Sequence, residues 1–216
     1  MRYTNKDYLN YVNNQDSLFY SPNLTKGFDK QKYSINTFVN SKWQHKIDNN
    51  WESYLINVDT LPNQGWKIHI TANISDAQQL LEVVAKILIP KEVSFKFLPD
   101  KYSLLMANSK YADRAESGKF ITIYPESTKS FLELLDILTK ATRKFEEGPY
   151  ILNDKQWKDS NVYFRYGGFK PIYAKVNGSI VPVVKAPDGQ WVEDIRAPSL
   201  GHHITIYQNS LKNQKS

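Results

Sequence analysis

The amino-acid sequence predicts an α+β fold, a twisted and largely antiparallel sheet with helices packed against it. Three observations carry that expectation. Short runs alternate apolar and polar residues with the period of a half-buried strand, as in Trp66-Lys67-Ile68-His69-Ile70. Between them lie longer segments whose apolar residues recur at helical spacing, such as Ala77, Leu80, Leu81, Val84, Ile87 and Leu88. Near the far end, Asn177-Gly178 separates two further strand-like runs, a hairpin signature. The alternation of strands and helices between Trp66 and Arg165 also permits a parallel α/β sheet, so connectivity is left open at this point.

Taken in order, residues 1–60 are rich in Asn, Tyr and Lys and weakly periodic, with a short helix expected near Tyr8–Val12. Trp66–Ile70 is the first sharp strand, and it places Lys67 and His69 on one face. The helix after it opens at Ser75, with Gln78 three residues later in a capping-box pattern, and Pro90 ends it. Ser94–Leu98 is the next strand, with Phe95 and Phe97 on one face and Lys96 on the other. A short helix over Asp100–Asn108 and a polar loop over Asp113–Gly118 lead to a third strand, Lys119–Tyr124. In it Ile121 and Ile123 share one face, and Phe120, Thr122 and Tyr124 the other. A long helix from about Thr128 to Phe145 is carried by Phe131, Leu134, Leu135, Leu138 and Phe145. Asn161–Tyr166 is a fourth strand, stopped by Gly167-Gly168, and the hairpin pairs Tyr173–Val176 with Ile180–Val184. The expected organisation is an N-terminal extension over 1–60 packed on a core over 61–208, then a tail or the start of an interdomain linker over 209–216.

Composition narrows the chemistry. The 216 residues contain no cysteine, which removes disulfides, thiolate nucleophiles and sulfur-ligated zinc together. Four histidines, His45, His69, His202 and His203, do not suggest a multi-histidine metal centre, and no metal or cofactor is expected. No apolar run follows Arg2, so no signal peptide is expected. The most apolar stretch, Leu80–Pro90, is interrupted by Glu82 and Lys86, so no membrane span is expected either, and a cytoplasmic protein is the plain expectation. A formal charge of +6 favours an anionic partner: nucleic acid, a phosphorylated ligand or an acidic surface.

Where the cations fall is more informative. Lys67, His69, Lys96 and Arg165 each sit on the strand face opposite the apolar residues. Any one of them suits the wet face of an antiparallel strand. Together, with Arg114 and Lys119 on the adjoining loop and Tyr124 beyond, they describe a pocket that collects negative charge. Other features carry less. His202 and His203 are adjacent, so in a strand they point to opposite faces and make a poor metal pair. Asp188-Gly189 reads as a turn, and for most of Trp43, Trp51, Trp157 and Trp191 core packing is the expectation ahead of base stacking.

Six segments in register carry a resemblance. Trp66-Lys67-Ile68-His69, Ser94-Phe95-Lys96-Phe97-Leu98, Asn108-Ser109-Lys110-Tyr111, Ser117–Pro125, Gly148-Pro149-Tyr150-Ile151-Leu152 and Tyr163–Phe169 resemble the N-terminal lyase domain of class III lanthipeptide synthetases. The match runs from about Gln64 to Phe169 and more loosely toward Arg196. That family joins lyase, kinase and cyclase domains in one chain, and its lyase resembles the phosphothreonine lyases secreted by some bacterial pathogens. The resemblance implies β-elimination of phosphate from a phosphorylated lanthipeptide precursor to give dehydroalanine or dehydrobutyrine, without metal or cofactor. It implies as partners the kinase and cyclase domains of the same full-length enzyme, and neither nucleic acid nor membrane. The chain has neither a kinase glycine-rich loop nor a His-Arg-Asp loop.

Such an elimination needs a base for the Cα proton, an acid for the departing oxygen and cations for the phosphate. By position in the family's motifs, Lys96 looks like the base and His69 like the acid, with Tyr124 a further catalytic candidate. Lys67, Arg114, Lys119 and Arg165 look like the phosphate clamp, a role that suits the planar donors of arginine. A lysine base must lose its proton near neutral pH. Neighbouring cations and burial favour that loss, and a bound phosphate dianion opposes it. The effector lyases carry a second lysine two residues before the catalytic one, where this chain has Ser94. Two other functions suit the same pocket: a metal-independent phosphodiesterase or ribonuclease, and a non-catalytic phosphopeptide-binding module.

Overall fold

A computed structural model of the chain describes residues 31–48, 50–109, 112–113, 115–176, 178–186 and 188–194. In chain order the strands are β1 (Gln44–Ile47), β2 (Glu52–Leu55), β3 (Gln64–Ile70), β4 (Ser94–Phe97), β5 (Ile121–Tyr124), β6 (Lys155–Gln156), β7 (Val162–Gly168), β8 (Tyr173–Val176), β9 (Ser179–Lys185) and β10 (Trp191–Glu193). The helices are α1 (Ala77–Leu88), between β3 and β4, α2 (Lys101–Asn108), before β5, and α3 (Thr128–Thr142), after it. The expected helix near Tyr8–Val12, Arg114 and the His202-His203 pair lie outside the described residues.

Seven strands form one sheet in the order β1-β2-β4-β5-β3-β7-β6, and β10-β9-β8 form a second, smaller one. Every pairing between these strands is antiparallel, which makes the fold α+β and closes the parallel alternative. Side-chain alternation gives the large sheet two unlike faces. Tyr54, Phe95, Phe97, Ile121, Ile123, Ile68, Trp66 and Phe164 are buried in the apolar core. Helix α3 packs on β3 and β7 and against α1. Around Phe131 of α3 the aromatic rings interlock: Trp66 stacks on it with centroids 5.1 Å apart, and Phe164 meets it edge-on at 5.5 Å.

Several expectations are corrected by this packing. The capping box at Ser75 does not form. Helix α1 starts one residue after Asp76, and Gln78 instead ties down Ser34, donating to its carbonyl at 2.8 Å and accepting from its amide at 3.1 Å. The long helix ends at Thr142, and Phe145 packs against the core from beyond it. Phe120 precedes β5 and does not share a wet face with Thr122; it is buried, its ring 5.2 Å from that of Tyr33. The glycines do not stop β7, because Gly167 and Gly168 pair with Gly65 and Gln64 of β3. In the weakly periodic first sixty residues, β1 and β2 make a hairpin whose second strand pairs with β4. Trp43 is buried, whereas Trp191 is 48% exposed and belongs to no core. Asp188-Gly189 is a turn, with Gly189 at φ 86° and Asp188 Oδ1 accepting from the Gln190 amide.

The small sheet is fastened to the large one. Gln64 donates to the Lys185 carbonyl at 2.7 Å and accepts from the Lys185 amide at 2.6 Å. Among the described residues no helix is long and apolar enough to cross a membrane.

Candidate active site

The face of the large sheet opposite the apolar core carries polar residues in rows, because directly opposed residues of neighbouring strands point the same way. One row runs across five strands: Ser53 of β2 faces Lys96 of β4, Lys96 faces Thr122 of β5, Thr122 faces His69 of β3, and His69 faces Tyr163 of β7. In the next row along, Ser94 faces Tyr124 and Lys67 faces Arg165. Over these rows lies a cavity of about 280 Å³ whose lining includes Lys67, His69, Lys96, Lys119, Tyr124 and Arg165, with Thr122 between Lys96 and His69. The structure thus brings to one place every site residue expected from the sequence except Arg114, which is outside the described residues.

Local folding explains the placements. Lys119 ends the turn that follows Asp113, where Asp113 accepts from the Ala115 amide at 2.8 Å, and its ammonium donates to the Ala115 carbonyl. Ser94 is turned to structural use. Its hydroxyl accepts from the Ile56 amide at 3.0 Å and donates to the Ile56 carbonyl at 3.1 Å, closing the end of β2 onto β4. The ammonium of Lys96 lies 3.9 Å from the centroid of the Trp51 ring, a cation–π contact that steers a long flexible side chain.

Two carboxylates complete the site that the sequence reading missed. Asp154 Oδ2 is hydrogen-bonded to His69 Nδ1, and both side chains are almost wholly buried. Asp194 Oδ1 accepts from Arg165 Nη2 at 2.6 Å in an equally buried pair. Gly167 leaves room for it, since a Cβ there would fall 2.9 Å from Arg165 Nη2. Nothing in the local pattern marks either aspartate. Asp154 lies in a polar turn and Asp194 at the end of a short edge strand, and each reads as an ordinary surface residue. The segment carrying Asp154 is held against the end of β3, where Thr71 donates to the Pro149 carbonyl at 2.8 Å and its amide bonds the Asn161 carbonyl at 3.0 Å.

Electrostatics follow from burial and this charge arrangement. Burial lowers the His69 pKa from 6.5 to about 4; Lys119 and Lys67 act in the same direction and Asp154 against it. Burial by itself raises the Asp154 carboxyl, but His69, Lys119 and Arg165 outweigh it and hold that group below its ordinary range. The site therefore holds an ionised Asp154 accepting Nδ1–H from a neutral imidazole, with Nε2 left for the cavity. A cavity of fixed cations beside a held imidazole and a lysine can bind a phosphate dianion and move protons on either side of it. Among the described residues no group of three or more histidine or carboxylate side chains is placed to hold a metal ion.

The family model described as RamC, N-terminal domain, matches residues 31–202. A Streptomyces coelicolor protein described as a probable SapB synthase is 36% identical over 200 residues, an alignment that covers 90% of this chain and 21% of that protein. The chain thus spans about a fifth of the length of that curated relative. Among solved structures, the VirA (SpvC) phosphothreonine lyase effector of Chromobacterium violaceum gives a TM-score of 0.46 at 15% identity, over 62% of this chain and 69% of that one. The type III effector and phosphothreonine lyase OspF of Shigella flexneri gives 0.46 at 14% identity, over 64% and 80% of the two chains. Likenesses of this degree leave the chemistry of the site to its own geometry.

Proposed function

The chain belongs to the RamC N-terminal domain family, and on that premise we propose that it is a phosphoserine/phosphothreonine lyase acting on a phosphorylated peptide. The observation that supports the reading is the convergence of Lys67, His69, Lys96, Lys119 and Arg165 on one cavity, with a buried carboxylate behind His69. Lys67, Lys119 and Arg165 hold the phosphate. Lys96, the ammonium over Trp51, first gives up a proton and then as the amine takes the Cα proton; the C–H electron pair becomes the Cα=Cβ bond, and the Cβ–O bond breaks. Phosphate leaves with its bridging oxygen, which takes a proton from His69 Nε2. The products are dehydroalanine from phosphoserine and dehydrobutyrine from phosphothreonine.

His69 is neutral in the folded chain near neutral pH, so the acid form has to be loaded with the substrate. A bound phosphate brings negative charge that raises the histidine's proton affinity, and its second ionisation near pH 6 lets it bring the proton as well. Asp154, accepting Nδ1–H, orients the ring so that Nε2 is the atom that takes up this proton and then gives it to the leaving oxygen. Tyr124, beside the path between Lys96 and the clamp, assists at the carbonyl of the enolate-like intermediate. Arg114 completes the clamp in this reading.

The physiological substrate in this reading is a lanthipeptide precursor, phosphorylated and later cyclised by kinase and cyclase domains of the same longer protein. The reaction uses side-chain cations alone for charge neutralisation, without metal or cofactor. Mass spectrometry of phosphoserine and phosphothreonine peptides incubated with the chain and a chelator tests it. The expected product is lighter by one phosphoric acid and adds thiols. Recovery of the plain hydroxyl peptide shows a phosphatase, an unchanged peptide that nonetheless binds shows a recognition module, and shortening of RNA shows a phosphodiesterase. A requirement for added metal would overturn the metal-free mechanism.

A further inference from the structure

Beside the phosphate cavity lies a second one, of about 340 Å³, over β2 and β4. Its apolar wall is Trp51, Leu55, Leu61 and Phe169, and Asp48 and Lys170 also border it. Lys96, Tyr124 and Phe169 line both cavities, so the two share a partition. That partition is held in place. The Phe169 ring meets Tyr124 edge-on at 5.3 Å and lies over Gly65, where a Cβ would come within 2.8 Å of it. The Phe169 amide donates to the Asn63 carbonyl at 2.7 Å, and Lys170 Nζ donates to the Val58 carbonyl at 3.2 Å, fixing the loop that carries Leu61. The second cavity is therefore preformed, half-buried and apolar, the usual character of a site that takes an apolar group from a ligand.

We propose that this cavity is a specificity subsite for an aliphatic or aromatic side chain of the substrate peptide, two residues from the phosphorylated one. The inference rests on the lyase reading and deepens it. In an extended peptide, side chains at positions i and i+2 leave the backbone on the same side about 7 Å apart. A phosphoserine seated with its phosphate between Lys67 and Arg165 and its Cα toward Lys96 carries its second neighbour to the shared partition. Adjacent residues point the other way, into solvent. An apolar occupant would cover the contact between Lys96 and Trp51, so its benefit reaches the reacting centre as well as binding. An acidic residue there loses hydration against the apolar wall, and its attraction to Lys170 is opposed by the carboxylate of Asp48 on the same border.

The test compares kcat/KM for three phosphoserine peptides: one with leucine two residues away on both sides and glycine adjacent, one with aspartate in place of those leucines, and one with leucine adjacent and glycine two away. The expected result is a preference for the first of roughly tenfold or more over each of the others, the range of a small apolar pocket. In Leu61→Asp the ratio between the first and second peptides should collapse or invert. Equal turnover of the three peptides by the wild-type chain overturns the subsite and leaves the lyase standing. Persistence of the full preference in Leu61→Asp overturns the assignment of this cavity. Elimination from none of the three overturns the lyase reading and the subsite with it.

Discussion

Lys96 and His69 stand two strands apart in one cross-strand row, each directly opposite Thr122 of β5. Two strand spacings put their backbones roughly 10 Å apart, enough for a substrate Cα–Cβ–O unit to lie between them. A base on one side of that unit and an acid on the other can be separated by leaving group. His69→Ala should be partly rescued by a β-fluoroalanine peptide, whose fluoride leaves without a proton, and Lys96→Ala should stay inactive on both substrates. Equal rescue, or none for either, removes the division of labour and leaves elimination possible.

Asp154 bonds the imidazole and does not line the cavity, so it is a positioning residue. Asp154→Asn keeps the shape but removes the charge that holds Nδ1–H. We expect kcat to fall on the order of 10²-fold or more with KM little changed, since proton delivery at the leaving oxygen is what is lost. The fluoride substrate supplies the control. If its turnover falls as far as that of the phosphate substrate, Asp154 acts through folding and not through His69.

Arg165→Lys should not be mild. Lysine keeps the charge but not the planar fork, which donates to Asp194 and, in the proposed clamp, to phosphate as well. A loss in kcat/KM of about tenfold or more, roughly 1.4 kcal/mol or above in transition-state binding, is expected from steady-state kinetics. Asp194→Ala leaves the buried guanidinium without this carboxylate and should lower folding stability by about 3 kcal/mol or more in urea titrations. Near-wild-type kinetics for Arg165→Lys would take that residue out of the clamp.

The buried histidine also makes stability depend on pH. His69 titrates at about 4 in the folded chain and near 6.5 when unfolded. Above pH 6.5 both forms are neutral and the group contributes nothing to the slope. Below it the unfolded chain takes up a proton that the folded chain refuses, so stability is lost as pH falls from about 6.5 toward 4. The full loss approaches about 3 kcal/mol. Urea midpoints of the wild type and His69→Gln, measured across that window, should converge as the pH falls. Parallel curves would mean that His69 is protonated in the folded chain.

The sequence by itself determined much of this molecule. Strict alternation in Trp66–Ile70 and Ser94–Phe97 put Lys67, His69 and Lys96 opposite the apolar residues, because a strand's period of two is written into each pair of neighbours. The helices α1 and α3 were legible for the same reason, to within a turn at their ends. What lay beyond reach depended on residues far apart in the chain. That β3 sits between β5 and β7, so that His69 faces Thr122 on one side and Tyr163 on the other, is decided by the packing of the whole sheet. The hairpin of β1 and β2 has little pattern of its own and is fixed by pairing with β4. Asp154 reaches His69 across 85 positions and Asp194 reaches Arg165 across 29. A carboxylate's role is set by the cation or imidazole it meets, and that meeting is a property of tertiary contacts, which no local period encodes.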